Sequence, residues 1–186
     1  MPRIDELEDI GNQAIESTNL FFHRTNSPLS IHRMTESDVR WCNSRSMISS
    51  NHLAWLSVID GLHREDSYSF CFKLQDGVVP DRPEGGCVCS FSIHNGIMTV
   101  EMIQNFDLDD GALSGRMMEL SQIAILFFML KAEGTGVYIE NPVNDQVRDY
   151  YVDVCGYDYA NDEGTLLYRS VEDILNGYQE LQPGAE

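Results

Sequence analysis

The sequence predicts an α/β (α+β) fold, a single domain with a mixed, largely antiparallel sheet flanked by helices and an extra helix at the N-terminus. Three observations predict it. Runs with the residue alternation of strands lie between segments with the three-to-four-residue apolar spacing of helices. Three strand-like runs follow one another without a helix between them, which indicates antiparallel pairing. One long helical segment then leads from the third run to another strand, which indicates a parallel crossover.

The N-terminal third predicts a helix, a strand and two further helices. Residues 4–22 place apolar side chains among acids at helical spacing, and residues 26–28 (Asn-Ser-Pro) break the helix. The alternation in LSIHRM, residues 29–34, indicates a short strand. The Thr-Glu-Ser-Asp sequence at 35–38 is a capping box, which starts a helix at about residue 36. Another helix is predicted over residues 52–62.

Three strands follow, in the runs YSFCFKL from Tyr68, CVCSFSI from Cys87 and IMTVEMI from Ile97. The second and third are separated by His-Asn-Gly at residues 94–96. This sequence predicts a hairpin with a type I′ turn, because Asn-Gly tolerates the positive φ angles that such a turn requires. The Gly- and Pro-rich residues 75–86 between the first two strands predict a loop.

The central segment predicts the helix of the crossover. Apolar residues recur at steps of three and four from Leu113 to Phe127, and Gly134 is expected to stop the helix. GVYIE at residues 136–140 indicates a short buried strand. The unit from IMTVEMI to GVYIE should be right-handed and parallel, which leaves a groove at the carboxyl ends of these two strands.

The C-terminal segment predicts a helix, a strand and a closing helix. Asn144 or Asp145 can cap a helix that runs through Val154 and ends at Gly156. GTLLYRS then has the pattern of a strand, and VEDILNGYQELQ that of a helix.

Charge sets limits on the partners. The 186 residues include 30 Asp and Glu against 12 Lys and Arg, a formal net charge of −18. Such a surface repels phosphate backbones at long range, so we expect no direct nucleic-acid binding. It would attract a cationic small molecule or a basic protein. High acidity that serves only solubility is compatible with every function considered below.

Cellular location and metal binding can be judged from a few residue types. The five cysteines include no CxxC pair and the N-terminal residues do not resemble a signal peptide, so we expect a reducing cytoplasm. The most apolar run, residues 123–130, is shorter than the roughly 20 residues of a membrane span. The five histidines show no pair at metal-ligand spacing, so no metal site is predicted.

Two segments resemble the GCN5-related N-acetyltransferase (GNAT) superfamily. SIHRMTESDV, from residue 30, is similar to the family's first strand and capped first helix, Ile-x-Arg followed by Thr-x-x-Asp-Val/Ala. NPVNDQVRDYYVDVCGYDY is similar to the family's Asn-x-x-Ala-x-x-x-Tyr-x-x-x-Gly-Phe, with Asn144, Val147, Tyr151 and Gly156 in those places and one extra residue before the glycine. The resemblance runs from about residue 29 to 169. It implies a GNAT-like acyltransferase domain over residues 29–186, preceded by an N-terminal helical extension over residues 1–28.

The resemblance implies acetyl-CoA as a co-substrate. Family members hold its pyrophosphate on backbone amides at the start of the central helix. The corresponding stretch is NFDLDDGALSGRMM, in which Gly115 can take the last glycine position, and Gly111 and Arg116 can assist. Asp107, Asp109 and Asp110 lie where the phosphates would arrive. The pantetheine arm would contact Asn144 and backbone groups of residues along and after the fourth strand, namely Ile103, Gln104, Asn105 and Phe106.

The resemblance also implies two catalytic residues. Glu101 would accept a proton from the attacking amine, and its alternative is an outward-facing residue on the same face as Thr99 and Ile103. Tyr151 would protonate the departing thiolate, and its alternative is packing with neighbouring tyrosines. Asn144 has the alternative of a helix cap.

Two functions follow from these residues. The first is an acyl-CoA-dependent N-acyltransferase that acts on a cationic amine by direct attack on the thioester. The second is a catalytically inactive acidic protein of the same fold that occupies a basic partner surface, as an inhibitor, an immunity-type protein or a nucleic-acid mimic, and the three aspartates before Gly111 favour it. The N-terminal helix is open to two roles, a contact in a homodimer or a lid.

Overall fold

A computed structural model describes residues 3–58, 66–77, 81–106 and 111–180. Its described helices are α1 (Ile4–Arg24), α2 (Glu36–Ser46), α3 (Met117–Lys131), α4 (Asp145–Asp153) and α5 (Val171–Glu180). Its strands are β1 (Leu29–Arg33), β2 (Ser67–Asp76), β3 (Gly85–Ser92), β4 (Ile97–Asn105), β5 (Gly136–Glu140), β6 (Asp158–Tyr159) and β7 (Leu166–Ser170). Within the described ranges, no helix is long and apolar enough to cross a membrane.

All seven strands form one sheet in the order β1-β2-β3-β4-β5-β7-β6. Every neighbouring pair is antiparallel except β4 and β5, which are parallel and joined through α3. The predicted fold class and the parallel pairing across the predicted crossover are therefore confirmed, and its right-handedness stays a prediction. The two-residue strand β6 was not predicted, because two residues are too few to show an alternation.

The sheet has a different hydrophobic cluster on each face. The larger cluster joins α1, α3 and the sheet, and includes Leu7, Phe22 and Phe128. The smaller one joins α2 to the sheet and contains Cys42, Trp55, Val88 and other residues. Because the buried side of α1 belongs to the larger cluster, residues 4–24 share the core of the rest of the chain. The division of the chain at residue 28 stays a prediction.

Helix α1 also covers an edge of the sheet. The Asn19 side chain accepts a hydrogen bond from the Ile31 amide at 2.8 Å and donates one to the Ile31 carbonyl at 2.8 Å. One amide side chain thus takes the place of a strand partner for β1, whose free edge would otherwise expose unpaired backbone groups.

Three local predictions were wrong in detail. The β3–β4 hairpin exists, but Asn95 does not have positive φ, and the Gly96 amide instead donates to the Ser92 carbonyl across a four-residue loop. The central helix begins at Met117 and not at Leu113, because the residues just before it form turns. The left-handed residue after this helix is Glu133, with φ 54°, and not Gly134.

The helix predicted over residues 52–62 is confirmed only at one point. Residues 52–54 are not helical, a turn occupies residues 55–56, and residues 57–58 are helical. The rest of the prediction lies outside the described residues. Trp55, in the turn, is fully buried against the sheet, and this contact fixes the segment where a helix was expected.

A buried ion pair attaches α2 to the sheet. Thr35 caps this helix as predicted, since its hydroxyl accepts from the Asp38 amide while the Asp38 carboxylate accepts from the Thr35 amide. Lys73 of β2 donates to the other Asp38 oxygen at 2.8 Å, and both side chains are about nine-tenths buried. Burial acts to raise the pKa of Asp38, but the hydrogen bonds from Lys73 and Thr35 outweigh it, and the pKa is lowered.

We expect Asp38→Ala to lower the free energy of unfolding by about 3 kcal/mol, because it leaves the Lys73 charge buried without its partner. Glu36→Ala is the matched control: it breaks the exposed Glu36–Arg40 pair on the same helix and should cost less than about 1 kcal/mol. Urea denaturation of both variants measures the difference. Equal losses of stability in the two variants would contradict the conclusion that the buried Lys73–Asp38 pair attaches α2 to the sheet.

The same pair predicts a pH dependence of stability. Because the folded-state pKa of Asp38 is lowered, its contribution is present above the unfolded value of about 3.9 and is lost as the pH falls through the folded-state pKa. The stability difference between the wild type and Asp38→Ala should therefore narrow in acid.

Candidate active-site cleft

The centre of the sheet contains an open cleft. The parallel pairing of β4 with β5 covers four residue pairs and ends at Val100 opposite Ile139, although β4 continues to Asn105. Beyond this point the two strands diverge around a cavity of about 260 Å³. The predicted groove at the carboxyl ends of these strands is thus present, and in the described part of the chain β4 and β5 do not pair beyond it.

A bulge places Glu101 in this cleft. On the β3 side, Val88 pairs with Met102 and Cys89 with Val100, so Glu101 is the extra residue of β4. Its carboxylate accepts a hydrogen bond of 2.6 Å from Ser90, a buried residue of β3. Glu101 also lines the cleft.

The bulge changes which residues share a face of β4. We predicted that Thr99, Glu101 and Ile103 lie on one face. Ser90 pairs with Thr99 and reaches Glu101, so these two share a face, whereas Ile103 packs into the larger cluster on the opposite face. That part of the prediction was wrong, because one inserted residue reverses the alternation after it.

The opposite wall of the cleft comes from α4. Tyr151 and Val147, one turn apart, both line the cleft. Tyr151 is buried, and its ring lies 5.7 Å from that of Tyr150 and 6.4 Å from that of Tyr157. Burial, with a smaller effect of the nearby Cys155, raises the pKa of Tyr151. A phenol with an ordinary pKa of about 10 is already protonated at neutral pH, so Tyr151 carries the proton that a donor needs.

Asn144 has the geometry of the helix cap. Its side-chain oxygen accepts from the Val147 amide at 2.9 Å, and the side chain is exposed and does not line the cleft. The resemblance implies that Asn144 contacts the pantetheine arm. In the structure, the side-chain oxygen of Asn144 is already engaged in capping the helix. The helix ends before Gly156, which has φ 72° and is the predicted terminator.

The far end of β4 is fixed by a buried hydrogen-bond network. Gln104 accepts from the indole N–H of Trp55 at 2.8 Å and donates to the Asn51 carbonyl at 2.9 Å. Phe106 packs its ring 5.6 Å from that of Trp55. Ile103, Gln104 and Asn105 all line the cleft. The side chain of Gln104 is therefore engaged in holding residues 51–55 as a wall of the cleft.

The start of α3 has room for a bound group. Gly115 has φ 68°, and a Cβ atom added there would meet no atom within 4 Å. No side chain caps the helix at Arg116. The Arg116 guanidinium contacts Glu119 at 2.8 Å and lines a separate depression beside α1, not the cleft. Gly111 and Gly115 do not line the cleft either, and Asp107, Asp109 and Asp110 lie outside the described residues.

Two features of the site were missed by sequence reasoning. Ser90 gave no signal, because its role depends on the bulge in the neighbouring strand. The Trp55–Gln104 bond joins residues 49 positions apart, and only the unusual combination of a buried tryptophan and a strand glutamine could have suggested it.

A carboxylate, a phenol and the part of β4 beyond its pairing with β5 thus line one cleft between the two strands. In open α/β sheets, ligands bind in the crevice at the carboxyl ends of the strands. Neither a protein-family model nor a curated protein matches the chain, so the comparison depends on solved structures.

Three similar solved structures are distant from this chain in sequence. The ribosomal-protein-S18-alanine N-acetyltransferase of Escherichia coli is 10% identical with a TM-score of 0.55, covering 77% of this chain and 94% of that one. An acetyltransferase of the GNAT family from Staphylococcus aureus is 8% identical, with a TM-score of 0.56 and coverages of 77% and 99%. The spermidine N-acetyltransferase of Vibrio cholerae, in complex with CoA and spermine, is 13% identical, with a TM-score of 0.55 and coverages of 80% and 99%.

The chain therefore has the fold of the GCN5-related N-acetyltransferases, as the resemblance of its two motifs implied. At these identities the comparison establishes the fold alone.

We expect Gln104→Leu to lower the free energy of unfolding by about 2 kcal/mol, because the Trp55 indole N–H is left buried without an acceptor. It should also increase amide hydrogen exchange at residues 51–55, which lose their attachment to β4. Trp55→Phe combined with Gln104→Leu is the control, since removing both partners should cost less than the sum of the two single changes. Additive losses would show that the two side chains act independently.

Proposed function

We propose that the protein is an acyl-CoA-dependent N-acyltransferase, most simply an acetyltransferase, that acts on a cationic amine. One observation carries the proposal: Glu101 and Tyr151 line the same cleft from opposite walls, at the point where β4 and β5 separate. Direct transfer from a thioester to an amine needs a proton acceptor on one side of the reacting carbonyl and a proton donor on the other.

The residues present fit acetyl-CoA as the co-substrate. The edge of β4 beyond Val100 offers backbone groups to the amides of a pantetheine arm, and residues 103–106 would hold it there. Gly115 leaves open space next to the uncapped start of α3, where backbone amides can receive a phosphate. Bound there, the co-substrate would supply an activated acyl group as a thioester.

Glu101 is proposed as the proton acceptor. An amine with a pKa near 10 is protonated at neutral pH and must lose a proton before it attacks. The Ser90 hydroxyl donates to one carboxylate oxygen and thereby orients Glu101 in the cleft. The carboxylate can take the proton from the amine directly or through water.

Tyr151 is proposed as the proton donor to the departing thiolate. Its phenol is held by the tyrosine rings on both sides and is protonated at neutral pH. Packing would also explain the position of the Tyr151 ring. The proton-donor role differs from a packing role only in that it requires the hydroxyl.

The acceptor class is proposed from charge. Two carboxylates, Glu101 and Glu140, line the cleft, and its described lining contains no cationic side chain. Together with the net charge of −18, this favours a positively charged acceptor. One of the similar structures holds spermine, which is such an amine. The comparisons give no support to the alternative of an inactive acidic binding protein.

Calorimetric titration with acetyl-CoA at moderate salt tests the proposal. We expect micromolar binding to the wild type and at least tenfold weaker binding to Gly115→Val, because a branched side chain at φ 68° strains the backbone and fills the space beside α3. Gly77→Val is the matched control: Gly77 also has positive φ and open space but lies at the end of β2. No binding to the wild type at millimolar ligand would overturn the proposal.

We expect Tyr151→Phe to reduce kcat by about a hundredfold or more while the KM for acetyl-CoA changes less than about twofold, because a proton donor to the leaving group acts only in the transition state. Steady-state kinetics with a polyamine acceptor measure both constants. Tyr150→Phe, the change at the neighbouring phenol, should leave kcat within a fewfold of wild type. Unchanged turnover in Tyr151→Phe would assign this phenol to packing.

A further inference from the structure

A second cavity of about 290 Å³ lies on the other side of α4 from the cleft. Its walls come from α3, the end of α4, β7 and α5. The lining residues are Glu119, Gln122, Ile123, Leu126, Val154, Cys155, Arg169, Ile174, Gly177 and Tyr178. None of these lines the cleft between β4 and β5, so the two cavities are distinct.

Arg169 gives this cavity a positive charge. Its guanidinium donates to the carbonyl oxygens of Cys155 and Asp173 and to the Gln122 side-chain oxygen, which are all neutral acceptors. Among the described residues no carboxylate forms an ion pair with Arg169, although the chain carries 30 acids. A half-buried guanidinium whose charge is not neutralised favours an anion.

Gln122 positions the guanidinium at this cavity. The residue is more than nine-tenths buried and lines the cavity, and its oxygen accepts from Arg169. Its side chain also interacts with the buried Tyr157 hydroxyl. Because the Gln122 oxygen is uncharged, it orients Arg169 without neutralising the charge, and an anion in the cavity can pair with the guanidinium.

Gly177 makes space for the guanidinium. It lies inside α5, where glycine costs about 1 kcal/mol relative to alanine. A Cβ atom at this position would lie 2.9 Å from Arg169 Nη2. The missing side chain therefore allows the guanidinium to lie against the helix, where it faces the cavity.

The acidic groups around the cavity are already engaged. The Glu119 carboxylate, at the cavity wall, pairs with Arg116 at 2.8 Å. The Asp173 carboxylate accepts from the Ser170 hydroxyl, and the same hydroxyl accepts from the Asp173 amide at 3.0 Å. At physiological salt the Debye length is about 8 Å, so more distant acids are largely screened.

The remaining walls are apolar. Ile123 and Leu126 of α3 face Ile174 of α5, and exposed Val154 lies at the rim. The volume is at the lower end of the range of about 300–1,000 Å³ for small-molecule sites. We propose that this cavity is a second ligand site that binds a small organic carboxylate with an apolar tail, the carboxylate on Arg169 and the tail between α3 and α5.

The site would communicate with the cleft through α4. Tyr151 and Val147 of this helix line the cleft, whereas the two residues that follow the helix, Val154 and Cys155, line the second cavity. A ligand that orders the end of α4 therefore acts on the helix that holds Tyr151. The site itself does not depend on the proposed acyltransferase activity.

The test is titration of the protein, without acetyl-CoA, with 4-methylpentanoate and with phenylacetate, followed by the methyl NMR signals of isoleucine and leucine. We expect saturable binding with a dissociation constant of about 1 mM or lower and shifts at Ile123, Leu126 and Ile174. The uncharged amide 4-methylpentanamide should bind at least tenfold more weakly, because it cannot pair with the guanidinium. No saturable binding of either acid at 10 mM would overturn the proposal, whatever the protein does with acetyl-CoA.

Two variants locate the site. Arg169→Gln should abolish binding, and Val154→Trp should block the rim, with little risk to the fold because Val154 is 66% exposed. Leu130→Trp is the matched control, since Leu130 is exposed on α3 and belongs to no cavity described above; it should leave the affinity unchanged. Should Arg169→Gln fail to fold, Val154→Trp decides alone. Binding that survives Val154→Trp, or equal binding of acid and amide, would contradict the assignment.

Discussion

The short parallel pairing between β4 and β5 is the constraint on which the site depends. Four residue pairs hold the strands together, and beyond Val100 the backbone of β4 loses its neighbour. Backbone N–H and C=O groups without a strand partner must find another one, in water or in a ligand. The split therefore creates both the space of the cleft and its hydrogen-bonding capacity, and the bulge at Glu101 adds a carboxylate where the split begins.

The surrounding structure keeps this split open on both faces of the sheet. On one face, α3 packs against the sheet within the larger cluster and continues the crossover into β5. On the other, the Lys73–Asp38 pair fixes α2, and Gln104 fixes residues 51–55 through Trp55. A cleft held by buried polar contacts as well as by apolar packing has walls in defined positions, because a displaced wall would leave donors or charges unpaired.

Features that depend on residues close together in the sequence could be predicted, whereas features that depend on contacts between distant residues could not. Thr35 and Asp38 cap α2 through residues three apart, and Gly156 ends α4 through its own φ angle, so both could be predicted locally. The face of Glu101 could not, because it depends on a bulge that is set by pairing with β3. Arg169 gave no signal either, since its acceptors lie on three separate segments that only the fold brings together.

Three tyrosines form a cluster at the end of α4 and just after it. Packing explains the rings of Tyr150, Tyr151 and Tyr157, which contact one another, but phenylalanine would pack equally well. The buried Tyr150 hydroxyl interacts with Cys155, and the buried Tyr157 hydroxyl interacts with Gln122. Phenylalanine at either position would lose that interaction. Cys155 and Gln122 line the second cavity and Tyr151 lines the cleft, so the hydroxyls of the three tyrosines connect the walls of the two cavities.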